Sequence, residues 1–254
     1  MIALFNPAYK DCENRLLDCI DHFDSKGENF VMGQRNQIKF FKLDELTINI
    51  KSFKVPHLIN QIAYRYFRKS KAKRSFEFAN KLIALNVGTP VPIGFIEFSS
   101  NFGFQKSFYI SEQLQCDLTF RELIEIPNYP DYDNILREFT RFCFDLHQKG
   151  IEFLDHSPGN TLIKKNALGN YNFFLVDLNR MEFHESMDFN KRMKNLCRLT
   201  PLKDMIVVMS NEYAKCSKES ETLIFETLWR FTSDFQEQFY RKKRLKKKLK
   251  FWKK

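Results

Sequence analysis

The chain has 254 residues, of which 43% are hydrophobic, and a formal net charge of +10. Ten of its 41 Lys and Arg residues lie in 241–254, so the remaining 31 balance the 31 acidic residues. The excess charge is confined to the C-terminal segment, which argues against a nucleic-acid-binding surface over the body of the protein. The length predicts one large domain or two lobes, with enough apolar residues for a proper core.

Cysteine usage and hydropathy limit the class of protein further. The six cysteines form no CxxC pair, which favours reduced thiols over a disulfide scaffold or a zinc site. The N-terminus lacks the charged start and the long apolar run of a signal peptide, and no apolar stretch is long enough to span a bilayer. We therefore expect a cytoplasmic protein.

The first part of the chain predicts a β-rich N-lobe over residues 1–113. Short runs of β-branched and aromatic residues alternate there with turn signals. A helix within 1–23 is expected to brace the lobe, and 70–85 predicts a second helix because its apolar residues recur at helical spacing. Strands are predicted over 30–32, 38–43, 46–53, 91–98 and 107–110.

The second part, 114–240, predicts a mainly helical C-lobe. Gly150 is a natural helix stop, and a short β-like run at 171–176 ends in an aspartate. The sequence therefore predicts an α+β, two-lobed protein with an antiparallel-sheet N-lobe, a helical C-lobe and a basic tail at 241–254. The helices of the C-lobe are predicted over 131–149, over 193–215 and from 219 onward.

A polar turn at 154–163, LDHSPGNTLI, carries the strongest chemical signal. Asp155 and Asn160 have the spacing of the catalytic base and the Mg²⁺-binding Asn of a protein-kinase catalytic loop. Asp177 follows a second apolar strand, as a further metal-binding carboxylate would. We predict that these three side chains converge on a magnesium–nucleotide. The alternative is a polar turn that caps two strands.

Phosphoryl transfer also needs a cation on the nucleotide phosphates, which protein kinases supply from a strand lysine paired with a helix glutamate. Lys51 and Lys54 are the candidates, and strand alternation places them on opposite faces. The order β-branched, x, β-branched, Lys over 48–51 matches the V-A-I-K pattern and favours Lys51. Glu77, in the next predicted helix, is the expected partner. For each residue the alternative is a solvated surface charge.

A loop that would cover the phosphates has the weakest signal. The sequence contains no GxGxxG motif, and Gly27 and Gly33 are the candidates for this loop. Both glycines are equally consistent with ordinary turns.

The run Asp155-His156-Ser157-Pro158-Gly159-Asn160, with VDLNRM after the second strand, resembles the lipopolysaccharide kinase (Kdo/WaaP) family. The resemblance covers about 27–180. It implies a protein-kinase-like fold that uses ATP and Mg²⁺ to phosphorylate a sugar of the lipopolysaccharide inner core, with a core sugar or lipid-linked glycan as acceptor. It implies the following roles: Asp155 as base, Asn160 and Asp177 as metal ligands, Lys51 and Glu77 at the phosphates, and an adenine-binding connector near Glu112 to Leu114.

The chain departs from the kinase pattern at several positions. Phe153 and Leu154 stand where a His or Arg usually precedes the base, Ser157 replaces a usual Lys or His, and no Ala-Pro-Glu follows Asp177. These departures leave two alternatives. One is a small atypical protein kinase of the RIO or tRNA-modification type, and the other is a pseudokinase that binds a membrane or a partner. The residue His156 is expected to be packed rather than to contact substrate.

The basic tail, RKKRLKKKLKFWKK, places Leu245, Leu249 and Trp252 on one helical stripe. Such a cationic amphipathic helix predicts contact with an anionic membrane, and so a peripheral position on the inner face of the inner membrane. The alternative is a disordered, solubilising tail or a nonspecific polyanion binder. A specific nucleic-acid partner is not expected.

Overall fold

The computed structural model describes residues 1–32, 36–55, 68–100 and 103–251 of the chain. The chain divides into two compact units. The first consists of Met1–Gln115 and Leu175–Arg180, and the second of Cys116–Phe174 and Met181–Lys254. The lobe limits at 1–113, 114–240 and 241–254 stay predictions.

The first unit contains an antiparallel six-stranded sheet with the order β1–β5–β6–β4–β3–β2. The strands predicted from the sequence are all present. The helix expected within 1–23 is preceded by a strand that was not predicted and by a 3-10 turn, Pro7–Cys12. The strands are β1 (Ile2–Phe5), β2 (Glu28–Met32), β3 (Asn36–Leu43), β4 (Leu46–Phe53), β5 (Pro92–Ser100) and β6 (Gly103–Glu112).

The two faces of this sheet carry different side chains because residues alternate along each strand. On β4, Ile48 and Ile50 are fully buried and belong to one apolar cluster with Leu16 and Ile20 of helix α1 (Glu13–Asp21). Lys51 therefore lies on the opposite face. The burial of the two isoleucines sets the register that presents the lysine.

Helix α2 (Lys71–Ala84) packs on the face that carries Lys51. Ser70 caps its N-terminus, because the Ser70 side chain accepts a hydrogen bond from the Lys73 N–H at 3.0 Å. Phe76 joins a cluster with Phe53 and Phe95 of the sheet, and the Phe76 and Phe95 ring centroids are 5.6 Å apart. The helix predicted over 70–85 is confirmed.

The second unit is mainly helical. It contains a sheet of the order β10–β9–β7 and an antiparallel pair of β11 with β8. The short strands β8 and β11 were not predicted. Its elements are β7 (Leu118–Thr119), α3 (Glu122–Glu125), α4 (Tyr132–Gln148), β8 (Ile151–Phe153), β9 (Thr161–Lys165), β10 (Tyr171–Leu175), β11 (Met181–Phe183), α5 (Phe189–Leu196), α6 (Lys203–Cys216) and α7 (Glu221–Phe251).

Helix α4 stops at Gly150, as predicted. Gly150 has φ +67°, and a Cβ at this position would lie 1.9 Å from the carbonyl oxygen of His184. Only glycine fits both the left-handed backbone and the close approach of the neighbouring strand. The Gly150 stop thus sets the start of β8, which leads directly into the polar turn.

The helical stretch predicted over 193–215 is interrupted at 197–202. Pro201 disfavours a helical conformation at the preceding residue, and Thr200 instead accepts a hydrogen bond from the Leu202 N–H at 3.1 Å. The interruption separates α5 from α6. Arg198 lies in this interruption.

All six cysteines are free thiols, as the sequence predicted. In the parts of the chain that the structure describes, no helix combines the length and the apolar character that a bilayer crossing needs. The segment 241–251 continues α7 rather than forming a separate element.

Candidate active site

The predicted site residues fall into two groups. Lys51 and Asp177 lie together in the first unit, whereas Asp155 and Asn160 lie together in the second. Each group is held by its own set of contacts. That both groups act on one nucleotide remains a prediction.

Lys51 lies on the central strand β4, opposite Ile38 on one side and Tyr109 on the other. Its side chain is only 12% exposed, and its ammonium lies 5.4 Å from the centroid of the Phe53 ring. Lys54 follows the end of the strand and is exposed. Of the two candidate lysines, Lys51 is therefore the one with a fixed environment.

Asp177 receives two hydrogen bonds on the same carboxylate oxygen. Oδ1 accepts from Lys51 Nζ at 2.7 Å and from Asn179 Nδ2 at 2.6 Å. Its φ of +60° is a conformation that Asp tolerates better than most residues. Sequence reasoning missed the role of Asn179, although its position two residues after Asp177 is a usual spacing for such a contact.

The strand end that presents Asp177 is anchored to the segment after α2. The Leu175 N–H donates to the Gly88 carbonyl at 2.9 Å, and the Thr89 hydroxyl donates to the Leu175 carbonyl at 2.9 Å. These bonds explain why Asp177 belongs to the same unit as Lys51 although 126 positions separate the two residues.

The predicted pairing of Lys51 with Glu77 is corrected by the structure. Glu77 accepts hydrogen bonds from Lys69 at 2.8 and 3.0 Å, and Lys51 binds Asp177 instead. Lys69 directly precedes the helix cap and reaches along the first two turns of α2. Sequence spacing indicated a helix glutamate but could not identify the carboxylate nearest to Lys51. The role of Glu77 at the nucleotide stays a prediction.

The two candidate glycines differ in what the structure describes. Gly27 lies just before β2 with φ +83°, and a Cβ there would meet the Phe41 ring at 2.6 Å. Lys39 holds the same turn by donating to the Lys26 carbonyl at 3.0 Å. The local structure therefore explains why glycine occupies position 27, since the backbone is left-handed and a side chain would clash with Phe41. Gly33 lies outside the described residues, so the phosphate-covering loop stays a prediction.

The predicted connector starts where β6 ends at Glu112. The Glu112 carboxylate accepts from the Tyr9 hydroxyl at 2.5 Å, and the Gln113 N–H donates to the Thr47 carbonyl at 2.9 Å. The Gln113 side chain accepts from Asn49 at 3.1 Å and donates to the Leu114 carbonyl at 2.9 Å. The connector is thus tied to β4 two residues before Lys51. Its contact with adenine stays a prediction.

The polar turn brings Asp155 and Asn160 together. Asn160 Nδ2 donates to the backbone carbonyl of Asp155 at 2.8 Å, and the Asn160 N–H donates to the Ser157 carbonyl at 2.9 Å. Because the amide nitrogen of Asn160 faces the Asp155 carbonyl, the amide oxygen of Asn160 points away from that carbonyl. The Pro158–Asn160 segment forms a 3-10 turn that leads into β9. The five-residue spacing therefore places the Asn160 side chain within hydrogen-bond reach of the Asp155 backbone.

His156 is packed, as expected, rather than presented to a substrate. Its ring lies near those of Phe139 and Phe153, with centroid distances of 5.8 and 5.4 Å. Burial lowers the pKa of His156 to about 3, so the ring is neutral at physiological pH. Its Nδ1 is buried without a hydrogen-bond partner among the described residues.

Arg198 is a residue near the candidate base that sequence reasoning missed. Its guanidinium donates to the Leu154 carbonyl at 2.8 Å and pairs with Asp155 Oδ1 at 3.1 Å. No motif marks this arginine, because 43 positions separate it from Asp155 and it lies in an irregular segment.

The donor atoms of the predicted metal ligands suit magnesium. Asp177 offers carboxylate oxygen and Asn160 offers amide oxygen, and Mg²⁺ prefers such hard ligands with water and phosphate completing its shell. Among the described residues both donors to Asp177 bind Oδ1, so Oδ2 is the oxygen with capacity for a cation. The residues fit the metal that the family resemblance implies.

A separate group of ligating side chains lies on the β8–β11 pair. Glu152 and Glu182 face each other across the pair, and His184 Nε2 lies 2.8 Å from Glu152 and 3.8 Å from Glu182. Lys191 also approaches Glu152, at 4.0 Å. The His184 and Lys191 side chains thus both lie near the Glu152 carboxylate.

Comparisons with known proteins identify the fold. No family model and no curated protein matches the sequence. The solved structures it resembles include WaaP in complex with acyl carrier protein, with a TM-score of 0.65 and 15% identity over 94% of this chain and 100% of that chain. Two others have a TM-score of 0.48: WbdD, at 17% identity over 80% of this chain and 44% of that one, and the Leishmania major MAP kinase LmaMPK10, at 12% over 86% and 66%.

The likeness to WaaP confirms the predicted fold class. The chain has a protein-kinase-like α+β fold with an antiparallel-sheet N-lobe and a mainly helical C-lobe.

Proposed function

We propose that this protein is an ATP-dependent kinase that phosphorylates a sugar hydroxyl, of Kdo or heptose, in the lipopolysaccharide inner core. The observation that carries the proposal is the pair of anchored groups on a kinase-like fold, Lys51 with Asp177 and Asp155 with Asn160. The likeness to WaaP over 94% of the chain and the Pro-Gly-Asn turn support a sugar acceptor.

Each residue has a definite role in this proposal. Asp155 orients the acceptor hydroxyl and takes its proton, and Lys51 binds the α- and β-phosphates of ATP. Asn160 and Asp177 would hold Mg²⁺, which neutralises phosphate charge when bound. Glu77 and the 112–114 connector are assigned to nucleotide binding from the family resemblance, and Gly27 and Gly33 remain the candidates for a phosphate-covering loop.

Lys51 and Asp177 give this assignment its physical basis. The Lys51 side chain is only 12% exposed, and the Asp177 carboxylate, 2.7 Å from its ammonium, fixes the position of that group. A phosphate entering beside Lys51 would meet a positioned cation rather than a mobile one. Preorganised charge of this kind is what phosphoryl transfer requires of the protein.

We also propose that the C-terminal end of α7 contacts an anionic membrane surface from the cytoplasmic side. Residues 241–247 are all exposed, and Leu245 is exposed among them. Of the predicted apolar stripe, Leu249 and Trp252 lie outside the residues whose side chains are described. This contact would suit an enzyme whose acceptor is a lipid-anchored glycan at the inner leaflet.

The decisive experiment measures ATP turnover with purified core oligosaccharide for the wild type, Asp155→Ala and Asp155→Asn. Loss of the base should lower kcat by about 10²- to 10⁴-fold. Asp145→Ala serves as the matched control, because it removes an exposed carboxylate of α4 that pairs with Lys149. Its turnover should stay within about twofold of wild type.

Other outcomes would support the alternatives. Turnover with protein acceptors alone would indicate an atypical protein kinase of the RIO or tRNA-modification type. Nucleotide binding without any turnover would indicate a pseudokinase. Full activity of both Asp155 variants, with their folds intact, would refute Asp155 as the base.

A further inference from the structure

Three successive backbone carbonyls at the start of the polar turn are each bound by a side chain. The Phe153 carbonyl accepts from Asn195 Nδ2 at 2.9 Å, and the Leu154 carbonyl accepts from Arg198 Nη1 at 2.8 Å. The Asp155 carbonyl accepts from Asn160 at 2.8 Å. Since α5 and the segment after it supply two of these three donors, they determine where the candidate base lies.

Arg198 makes a second contact, with the side chain of the candidate base. Its Nη2 lies 3.1 Å from Asp155 Oδ1, so one guanidinium binds both the backbone before the base and the carboxylate itself. A planar guanidinium can make these two contacts at once, because its donors point in fixed, divergent directions. Arg198 thus supplies a cation beside the base where the sequence has Leu154 instead of the usual Arg.

An aromatic ring supports the guanidinium from α7. The guanidinium carbon of Arg198 lies 5.4 Å from the centroid of the Phe235 ring, within the range of a cation–π contact. Arg198 Nε is buried without a hydrogen-bond partner among the described residues, which is consistent with a group held by its faces and its outer nitrogens. The side chain is 33% exposed, so the site is open to solvent on one side.

We propose that Arg198 is a positioning residue for the candidate base Asp155, and that Phe235 is its aromatic support. The proposal rests on the proposed function, since it requires Asp155 to act as the base. Arg198 orients the carboxylate through its charge and holds the backbone through the Leu154 carbonyl. The α5–α6 interruption and α7 therefore both contribute to the geometry of the reaction.

The Arg198→Lys substitution distinguishes this positioning role from a simple ion pair. Lysine keeps the charge but cannot bind the Leu154 carbonyl and the Asp155 carboxylate with the geometry of a guanidinium fork. A displacement of about 1 Å at a reacting group costs about 10²-fold in rate. We therefore expect Arg198→Gln to lower kcat about 100-fold, and Arg198→Lys to recover part of this loss.

The experiment measures kcat, the KM for ATP and the thermal midpoint of Arg198→Gln, Arg198→Lys and Phe235→Leu in the full chain. We expect the loss of kcat to be smallest for Phe235→Leu, larger for Arg198→Lys and largest for Arg198→Gln. The KM for ATP should stay within about twofold of wild type in each variant. Arg192→Gln is the control. Arg192 also has a buried Nε without a hydrogen-bond partner among the described residues, but its guanidinium pairs with Glu219 at 3.4 Å and lies against the Tyr213 ring.

The outcomes separate this inference from the proposed function. If Asp155→Asn is inactive but Arg198→Gln matches Arg192→Gln in kcat, the positioning role is refuted while the proposed function stands. If Asp155→Asn is fully active, the proposed function fails first. If Arg198→Gln does not fold, Phe235→Leu decides, because it retains the arginine: wild-type kcat in that variant would refute the aromatic support and with it the proposal.

Discussion

One carboxylate oxygen of Asp177 accepts hydrogen bonds from two side chains. Asp177 binds Lys51 of β4 and Asn179 two residues further along the chain, and its backbone is left-handed. The pair with Lys51 is partly buried, with side-chain exposures of 12% and 31%. Removing one partner of such a pair leaves an uncompensated charge. A substitution of either Lys51 or Asp177 is therefore expected to destabilise the site of the other.

At the scale of single residues, Lys51→Met should lower kcat/KM for ATP by about 10²-fold or more, because a fixed cation at the phosphates is lost. Lys54→Met is the matched control, since Lys54 is exposed beyond the end of the same strand. Its kcat/KM should stay within about twofold of wild type. The measurement is ATP turnover over a range of ATP concentrations, with thermal midpoints for both variants. Equal losses in the two variants would contradict the assignment of Lys51.

At the scale of elements, α7 has two parts with different surroundings. Its first part is packed into the second unit, where Ile224 and Leu228 are fully buried. Further along the helix, Phe239 and Tyr240 are half-exposed and the basic residues within 241–247 are exposed. A continuous helix therefore connects the core of the C-lobe to the cationic segment.

The basic end of α7 should bind vesicles that contain anionic lipid. Replacement of Lys242, Lys243 and Arg244 by Gln should weaken binding roughly 100-fold, since each basic residue near such a surface contributes about 1 kcal/mol. The control changes the same charge elsewhere, with Gln at the exposed positions Lys10, Lys42 and Lys218. Co-sedimentation with anionic and neutral vesicles gives the affinities. Equal weakening by both triple variants would indicate a net-charge effect and contradict a docking role for α7.

At the scale of the whole molecule, two buried histidines couple stability to pH. Burial lowers the pKa of His147 to about 4 and that of His156 to about 3, from an ordinary value of 6.5. His147 bonds to Tyr213 and Asn195 and so links α4 with α6 and α5. Both rings must stay neutral in the folded state.

The sign of the pH dependence follows from these lowered pKa values. The unfolded chain binds protons as the pH falls through 6.5, whereas the folded chain does not until about pH 4, so stability is complete above 6.5 and is lost below it. Between pH 7.5 and 5.0 each histidine should cost about 2 kcal/mol of unfolding free energy. His156→Leu should remove one of these two contributions. Urea unfolding at the two pH values tests this, and an unchanged pH dependence in His156→Leu would contradict it.

Much of the fold could be predicted because periodicity is a local property. The strands of the first sheet, α2 and α4 each bury a regular face, and Gly150 ends α4 where a positive φ is required. The elements that were not predicted depend on distant partners. β1 exists because it pairs with β5, and β8 exists because it pairs with β11.

By itself, the sequence determined the fold class, the polar turn with Asp155 and Asn160, the strand-end Asp177 and the preference for Lys51. These rest on spacing along one or two elements, and backbone geometry translates such spacing directly into position. Only the tertiary structure decided which charges meet. Lys51 pairs with Asp177 and not with Glu77, and Arg198 reaches Asp155, because such pairs are set by packing between segments far apart in the chain.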